Sequence, residues 1–456
     1  MNKTKFFPVA LTLALLAGPA TAATAETATP QPAATSAAVA KATKAQLKEI
    51  QAAIKRKDHA KVLELALPLA EAGDDNAQYV LGDLYAEGKG VAQDYKKARE
   101  WFEKAATAGN AAVNAAAQNY LGAIYAKGLG VKQDHAKARE WFQKAADAGY
   151  AVAQFNLGWL YYQGLGVKQD YAKAYELYKK AAEAGDTNAQ YVLGVLYEEG
   201  LGVRQDYFKA RQWYEQAAAA DAGNAVAQFN LGGLYYQGLG VKQDYAKAYE
   251  LYKKAAEAGD TNAQYVLGVL YEEGLGVRQD YFKARQWYEQ AAAAGDTDAQ
   301  FNLGILYNQG LGVKQDYAKA REWYEQAADA GNAEAQFNLG WLYYQGLGVK
   351  QDYAKAYELY KKAAEAGHVK AQHNLARLYL KGLGVKQDLV KAREWMAKAA
   401  AGGDSSAQLA LGMFHMSGIG GADKDEAQAL EWFQKAAAAG DPRASQFIKL
   451  MKDKTP

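Results

Sequence analysis

Five histidines, a recurring Gly-Leu-Gly-Val loop, a recurring aspartate and a set of aromatic and amide side chains are where this sequence could hold chemistry. The histidines are His59, His135, His368, His373 and His415, and none stands at a metal-ligand spacing with cysteine or paired carboxylates. Met413 and Met416 flank His415, a soft-metal set on paper. His415 occupies a position that elsewhere holds Tyr, and methionine in a degenerate layer fills gaps, so packing is the reading here. The Gly-Leu-Gly-Val runs lack the Lys-Ser/Thr of a phosphate loop and recur throughout, as turns do. Asp170 and its equivalents recur just before helical segments, where a carboxylate caps free backbone N–H groups. No Ser-His-Asp set has a distinctive local context. The expectation is no catalytic residue, no metal and no cofactor.

The recurrence itself is the stronger signal. Residues 153–185 read AQFNLGWLYYQGLGVKQDYAKAYELYKKAAEAG, and the same letters return at 335–367. The anchor A-Q-x-x-L-G-x-L-Y-x-x-G-x-G-V-x-Q-D places its Gln at Gln78, Gln118, Gln154, Gln190, Gln228, Gln264, Gln300, Gln336, Gln372 and Gln408. Most steps are 36 residues, a period that signals a repeat architecture. Within one repeat, Ala153–Gln163 predicts a helix that gathers Leu157, Gly158, Leu160 and Tyr161 on one side. Gly164 stops it, Asp170 caps the next, and a second helix over 171–184 aligns Ala174, Leu177, Tyr178, Ala181 and Ala182. Such a hairpin cannot bury its apolar face alone, so neighbours must stack.

These motifs resemble the Sel-one-like repeat family, a variant of the tetratricopeptide repeat. L-G-x-L-Y-x-x-G-x-G-V is close to complete nine times, over about four fifths of the chain. The resemblance implies an all-α, right-handed α-solenoid of stacked helix hairpins whose inner surface holds proteins or peptides. It supplies no shared catalytic residues. Some exported, Cys-rich members are linked to cell-wall or β-lactam hydrolysis, but their paired Cys are absent here.

In chain order, residues 1–25 read as a signal peptide: Lys3 and Lys5, an apolar stretch Phe6–Ala17, and A-x-A cleavage sites at Ala20–Ala22 and Ala23–Ala25. The run falls short of the ~20 residues a membrane span wants. Cleavage would leave no stable membrane insertion and a periplasmic or secreted protein. Zero cysteines mean no disulfides. Residues 26–43, rich in Ala, Thr and Pro, predict a linker. Residues 44–73 predict a capping helix pair, with Leu47, Ile50 and Ile54 as one apolar stripe. Ten repeats over 74–440 follow. Two carry extra residues, four around Asn110–Ala115 and two around Ala220–Ala222, expected in the turns between repeats. Residues 441–456 predict a final helix starting at Pro442 that covers the last open face. Residues 151–220 and 225–294 differ only at Trp159 against Gly233, so the array grew by copying a two-repeat unit.

Charge bounds the partners. Lys plus Arg is 53 against 51 for Asp plus Glu, and removing Lys3 and Lys5 balances them. No basic face argues for nucleic acid, and no basic amphipathic helix for a membrane surface. The informative face lies opposite Leu157, Gly158 and Tyr161 on the first helix, and holds Phe155, Asn156, Trp159, Tyr162 and Gln163. The later copy holds Phe337, Asn338, Trp341, Tyr344 and Gln345, and the middle copy Asn230 and Tyr236. In tetratricopeptide-like solenoids that side lines the groove, so the resemblance places these residues there. Asn156, Asn230, Asn302, Asn338 and Asn374 predict a ladder of amides suited to a peptide backbone, and large aromatics suit binding hot spots. Phe155 and Tyr162 fit a groove lining or packing on the adjacent repeat equally well. Trp159 and Trp341 read as groove residues, because their position holds Asp83, Ala123, Val195, Gly233, Arg377 and Met413 elsewhere. The reading is a non-catalytic exported scaffold that binds a protein or peptide. A cell-wall or β-lactam hydrolase and a glycan-binding module stand as alternatives.

Overall fold

The computed structural model describes residues 44–107, 109–220 and 224–452. The signal and linker segments lie outside the described residues, as does part of the second insertion. Among the described residues there are twenty-three α-helices and no strand. The helices group into two compact units, residues 1–243 and 244–456.

The first unit holds α1 (Lys44–Lys55), α2 (His59–Glu71), α3 (Asp75–Glu87), α4 (Tyr95–Ala105), α5 (Ala111–Lys127), α6 (His135–Asp147), α7 (Ala151–Gln163), α8 (Tyr171–Glu183), α9 (Thr187–Glu199), α10 (Tyr207–Ala220) and α11 (Ala225–Gln237). The second holds α12 (Tyr245–Glu257), α13 (Thr261–Glu273), α14 (Tyr281–Ala293), α15 (Thr297–Gln309), α16 (Tyr317–Asp329), α17 (Ala333–Gln345), α18 (Tyr353–Glu365), α19 (Val369–Lys381), α20 (Leu389–Ala401), α21 (Ser405–Ser417), α22 (Glu426–Ala438) and α23 (Ala444–Lys452). Odd-numbered helices from α3 to α21 open a repeat, and the next even-numbered helix closes it. Within each unit every helix packs on its neighbours in sequence, which makes each a stack of helix hairpins.

The α7–α8 hairpin shows why the sequence folds so. Gly164, at φ 72°, ends α7 in the left-handed region and returns its N–H to the Leu160 carbonyl. The Asp170 carboxylate accepts from the Lys173 N–H and starts α8. The Gln169 amide donates to the Tyr162 carbonyl at 2.8 Å, satisfying an orphan carbonyl of the last turn. Gly166 rests on the preceding hairpin. A Cβ there would lie 2.5 Å from the His135 carbonyl carbon at the start of α6. The anchor Gln154 donates to the Ala146 carbonyl of α6 at 3.3 Å, so it fastens one repeat to the last. Leu157, Leu160 and Tyr161 are buried as expected.

Three expectations change. The four extra residues near 110–115 do not widen a turn. They lengthen α5 to 17 residues against the usual 13. Four residues make about one helical turn, so the apolar face keeps its register. The final helix begins at Ala444 rather than Pro442. The Asp441 carboxylate takes the Arg443 N–H and its guanidinium first, which holds a turn ahead of α23. At the N-terminal pair Ile50 is buried but Ile54 is 45% exposed. At the other end α23 covers α22, with Phe447 stacked on Phe433 at 5.0 Å.

Candidate functional site

The first helix of a repeat is buried on nearly every side, since it packs on its own partner helix, on the preceding hairpin and on neighbouring first helices such as α5 with α7. In α7 only Ala151, Val152, Phe155, Trp159, Tyr162 and Gln163 retain exposure. That face of α7 is therefore partly open to solvent, but it is narrower than the sequence implied.

Asn156 is the residue displaced. It is 5% exposed, and its amide donates to the Asn119 side-chain Oδ1 of the preceding repeat at 2.9 Å. Asn230 behaves similarly, reaching the Tyr214 hydroxyl at 3.2 Å and the Tyr191 hydroxyl at 3.4 Å. Asn302 meets the hydroxyls of Tyr265 and Tyr288, and Asn374 that of Tyr360. In the second repeat Tyr120 takes the position and donates to Asp83 at 3.3 Å. These amides join successive repeats, and Asn338 is half-buried among the same layers. Phe155 packs on the Tyr178 ring of its own hairpin at 5.4 Å, and Phe337 on Tyr360 at 5.7 Å and His368 at 4.6 Å.

Trp159, Tyr162, Trp341 and Tyr344 are half-buried, with Gln163 and Gln345 exposed beside them. Trp159 stacks on Tyr162, ring centroids 6.0 Å apart and planes 10° from parallel. Tyr162 in turn meets Tyr171 edge-on at 5.2 Å. Trp341 lines a pocket of about 190 Å³ with Tyr344, Gln345 and Tyr360, closed on the far side by Asn374 and Arg377 of α19. In the copied repeat Gly233 is buried, and Tyr236 is half-buried beside the exposed Gln237.

Sequence reasoning missed two features. One is an open depression of about 670 Å³ on the loop side, lined by Arg99, Tyr125, Lys132, His135, Lys137 and Gly166 among others. His135 stands where most repeats carry Tyr, and that substitution was its signal. The other is a pair of histidine links between repeats: His368 caps α19 and meets Glu334 at 3.0 Å, while His373 meets the capping Asp404 at 3.0 Å. Among the described residues no three His, Cys, Asp or Glu converge as a metal site requires. No helix there is long and apolar enough to cross a membrane.

The fold defines an all-α scaffold of stacked helix hairpins, with some side chains of its first helices left exposed. The Sel1 repeat model matches ten times, over residues 75–110, 115–150, 151–186, 187–221, 225–260, 261–296, 297–332, 333–368, 369–404 and 405–441, and the chain belongs to that family. Its repeats are of the kind that typically serve protein interaction. Among solved structures it is similar to a protective antigen present in uropathogenic Escherichia coli strains and displaying an SLR fold. That match has 35% identity and a TM-score of 0.61, and covers 86% of this chain and 91% of the other. A Sel1 repeat protein from Oxalobacter formigenes matches at 29% identity and TM-score 0.49, over 74% of this chain and 86% of the other. No curated protein compared matches the chain.

Proposed function

We propose that this protein is a non-catalytic, exported scaffold that holds protein or peptide segments in a concave groove lined by the open face of its first helices, with Trp159 and Trp341 as anchors. The observation that carries the reading is the Trp341 pocket. An indole, a phenol and an exposed amide surround a cavity the size of one side chain, a composition suited to a hot spot. The surrounding hairpin is built from two capped helices already in place, so little ordering entropy is lost on the scaffold's side. Export rests on the basic, apolar and A-x-A pattern of residues 1–25.

The test is a Trp159→Ala/Trp341→Ala variant, assayed for capture of envelope proteins and for thermal unfolding. Truncating a Trp anchor commonly costs ~2 kcal/mol or more, roughly a thirtyfold loss of affinity. Capture should collapse while the melting midpoint moves by no more than a few degrees, roughly. Undiminished capture would place binding elsewhere, and early unfolding would make both Trp structural.

A further inference from the structure

The two tryptophan stations sit in identical 33-residue stretches, 153–185 and 335–367, yet the next repeat presents different chemistry to each. Beside Trp341, α19 supplies Asn374 and Arg377 to the pocket and carries Lys381 one turn on. Beside Trp159, the corresponding positions of α9 are Val192 and Val195, followed by Glu198 and Glu199. We infer that the Trp341 pocket binds an acidic peptide side chain set next to an apolar one, whereas its Trp159 twin does not. The inference rests on the peptide-binding reading above and goes further by naming the ligand's charge.

Charge complementarity is the argument. Arg377 is exposed at the pocket rim, and no carboxylate among the described residues pairs with its guanidinium. A guanidinium offers five donors in a planar fork that fits a carboxylate in two-point fashion. The Asn374 amide and Tyr360 hydroxyl meet on the pocket floor. Trp341 and Tyr344 supply the apolar wall. A carboxylate entering here gains an unspent cation, and an adjacent apolar group gains the indole face. A cationic side chain would meet Arg377 and Lys381 at like charge. At the twin station α9 presents the Glu199 carboxylate instead, which adds to burial and Tyr171 in raising the pKa of the Tyr162 hydroxyl.

The experiment displays random dodecapeptides with amidated C-termini against the full chain and against three variants, Trp341→Ala, Arg377→Gln and Arg377→Glu. Because Arg377 is exposed, the last two should unfold as the wild type does, which a thermal scan checks. The expected result is enrichment of Asp or Glu beside a large apolar residue. The chosen peptides should be lost with Trp341→Ala, bind about tenfold more weakly to Arg377→Gln, and give way to Lys- or Arg-bearing peptides with Arg377→Glu, an effect that weakens in high salt. Peptides that depend on Trp341 but ignore the charge at residue 377 overturn the inference and leave the binding reading standing. Peptides indifferent to Trp341 overturn the inference, and an empty selection overturns both.

Discussion

At Gly194 the missing side chain is a packing requirement. A Cβ there would lie 2.3 Å from the Tyr214 ring, and the equivalent Gly304 and Gly412 would meet Tyr324 and Phe433 at 2.4 and 2.5 Å. The ninth repeat breaks both halves of the rule at once: Ala376 replaces the glycine, and the flexible Met396 replaces the ring. Gly194→Ala gains about 1 kcal/mol of helix propensity but forces overpacking that costs about 1–3 kcal/mol. The Tyr214 hydroxyl is held by Glu198 at 2.6 Å, so the ring has little room to yield. The expected outcome is a net loss of up to about 2 kcal/mol, visible as faster hydrogen exchange in α9 and α10. Adding Tyr214→Met should restore protection, following the Ala376–Met396 pair. A Gly194→Ala protein as protected as the wild type would show that the glycine serves another end. The sequence displays this glycine in its motif, but only the facing ring explains it.

At the scale of a helix, the hairpins, their caps and the apolar stripe could all be read from the sequence, because each rests on local rules that repeat ten times. The facing of the amides could not. A stripe argument assumes one covered side, whereas a first helix here is covered from several, so Asn156 looked outward by elimination and is in fact buried against Asn119. Glu198 and Glu272 raise a related point. Each accepts the phenol of the following helix, Tyr214 at 2.6 Å and Tyr288 at 2.7 Å. Burial still pushes both carboxyls above their usual value of 4.5, the phenol opposing it. A raised acid keeps its proton in the folded state after the unfolded chain has lost it. Its contribution to stability is therefore complete below pH 4.5 and declines as pH rises through the folded value. Intrinsic-rate-corrected protection of α9 and α13 should be greater at pH 5 than at pH 7.5. Glu198→Gln and Glu272→Gln keep an oxygen acceptor for the phenol and should flatten that slope. A slope unchanged in both variants would assign it to other groups.

For the whole molecule, the governing fact is that contacts within each unit run between helices adjacent in sequence and between successive first helices, such as α13 with α15. Stability is then a sum over hairpins and the interfaces between neighbours, and damage should stay where it is made. Leu193 and Val195 of α9 test this together with the facing of the helix. Leu193 is fully buried, while Val195 stands two residues on, half-exposed at the position of Trp159. Leu193→Ala should cost about 2–5 kcal/mol, the transfer of the side chain plus the cavity left behind. Val195→Ala should cost well under about 1 kcal/mol, as changes near the surface do. Because α9 touches α8 and α10 most extensively, hydrogen exchange in Leu193→Ala should accelerate in those three helices, fade by α6, and leave α3 and α4 at wild-type protection. If protection instead falls evenly across residues 44–243, that unit unfolds as one cooperative body and the sum over neighbours is the wrong description. Equal effects of the two substitutions would reverse the facing of α9, and with it the assignment of Trp159 to the open side.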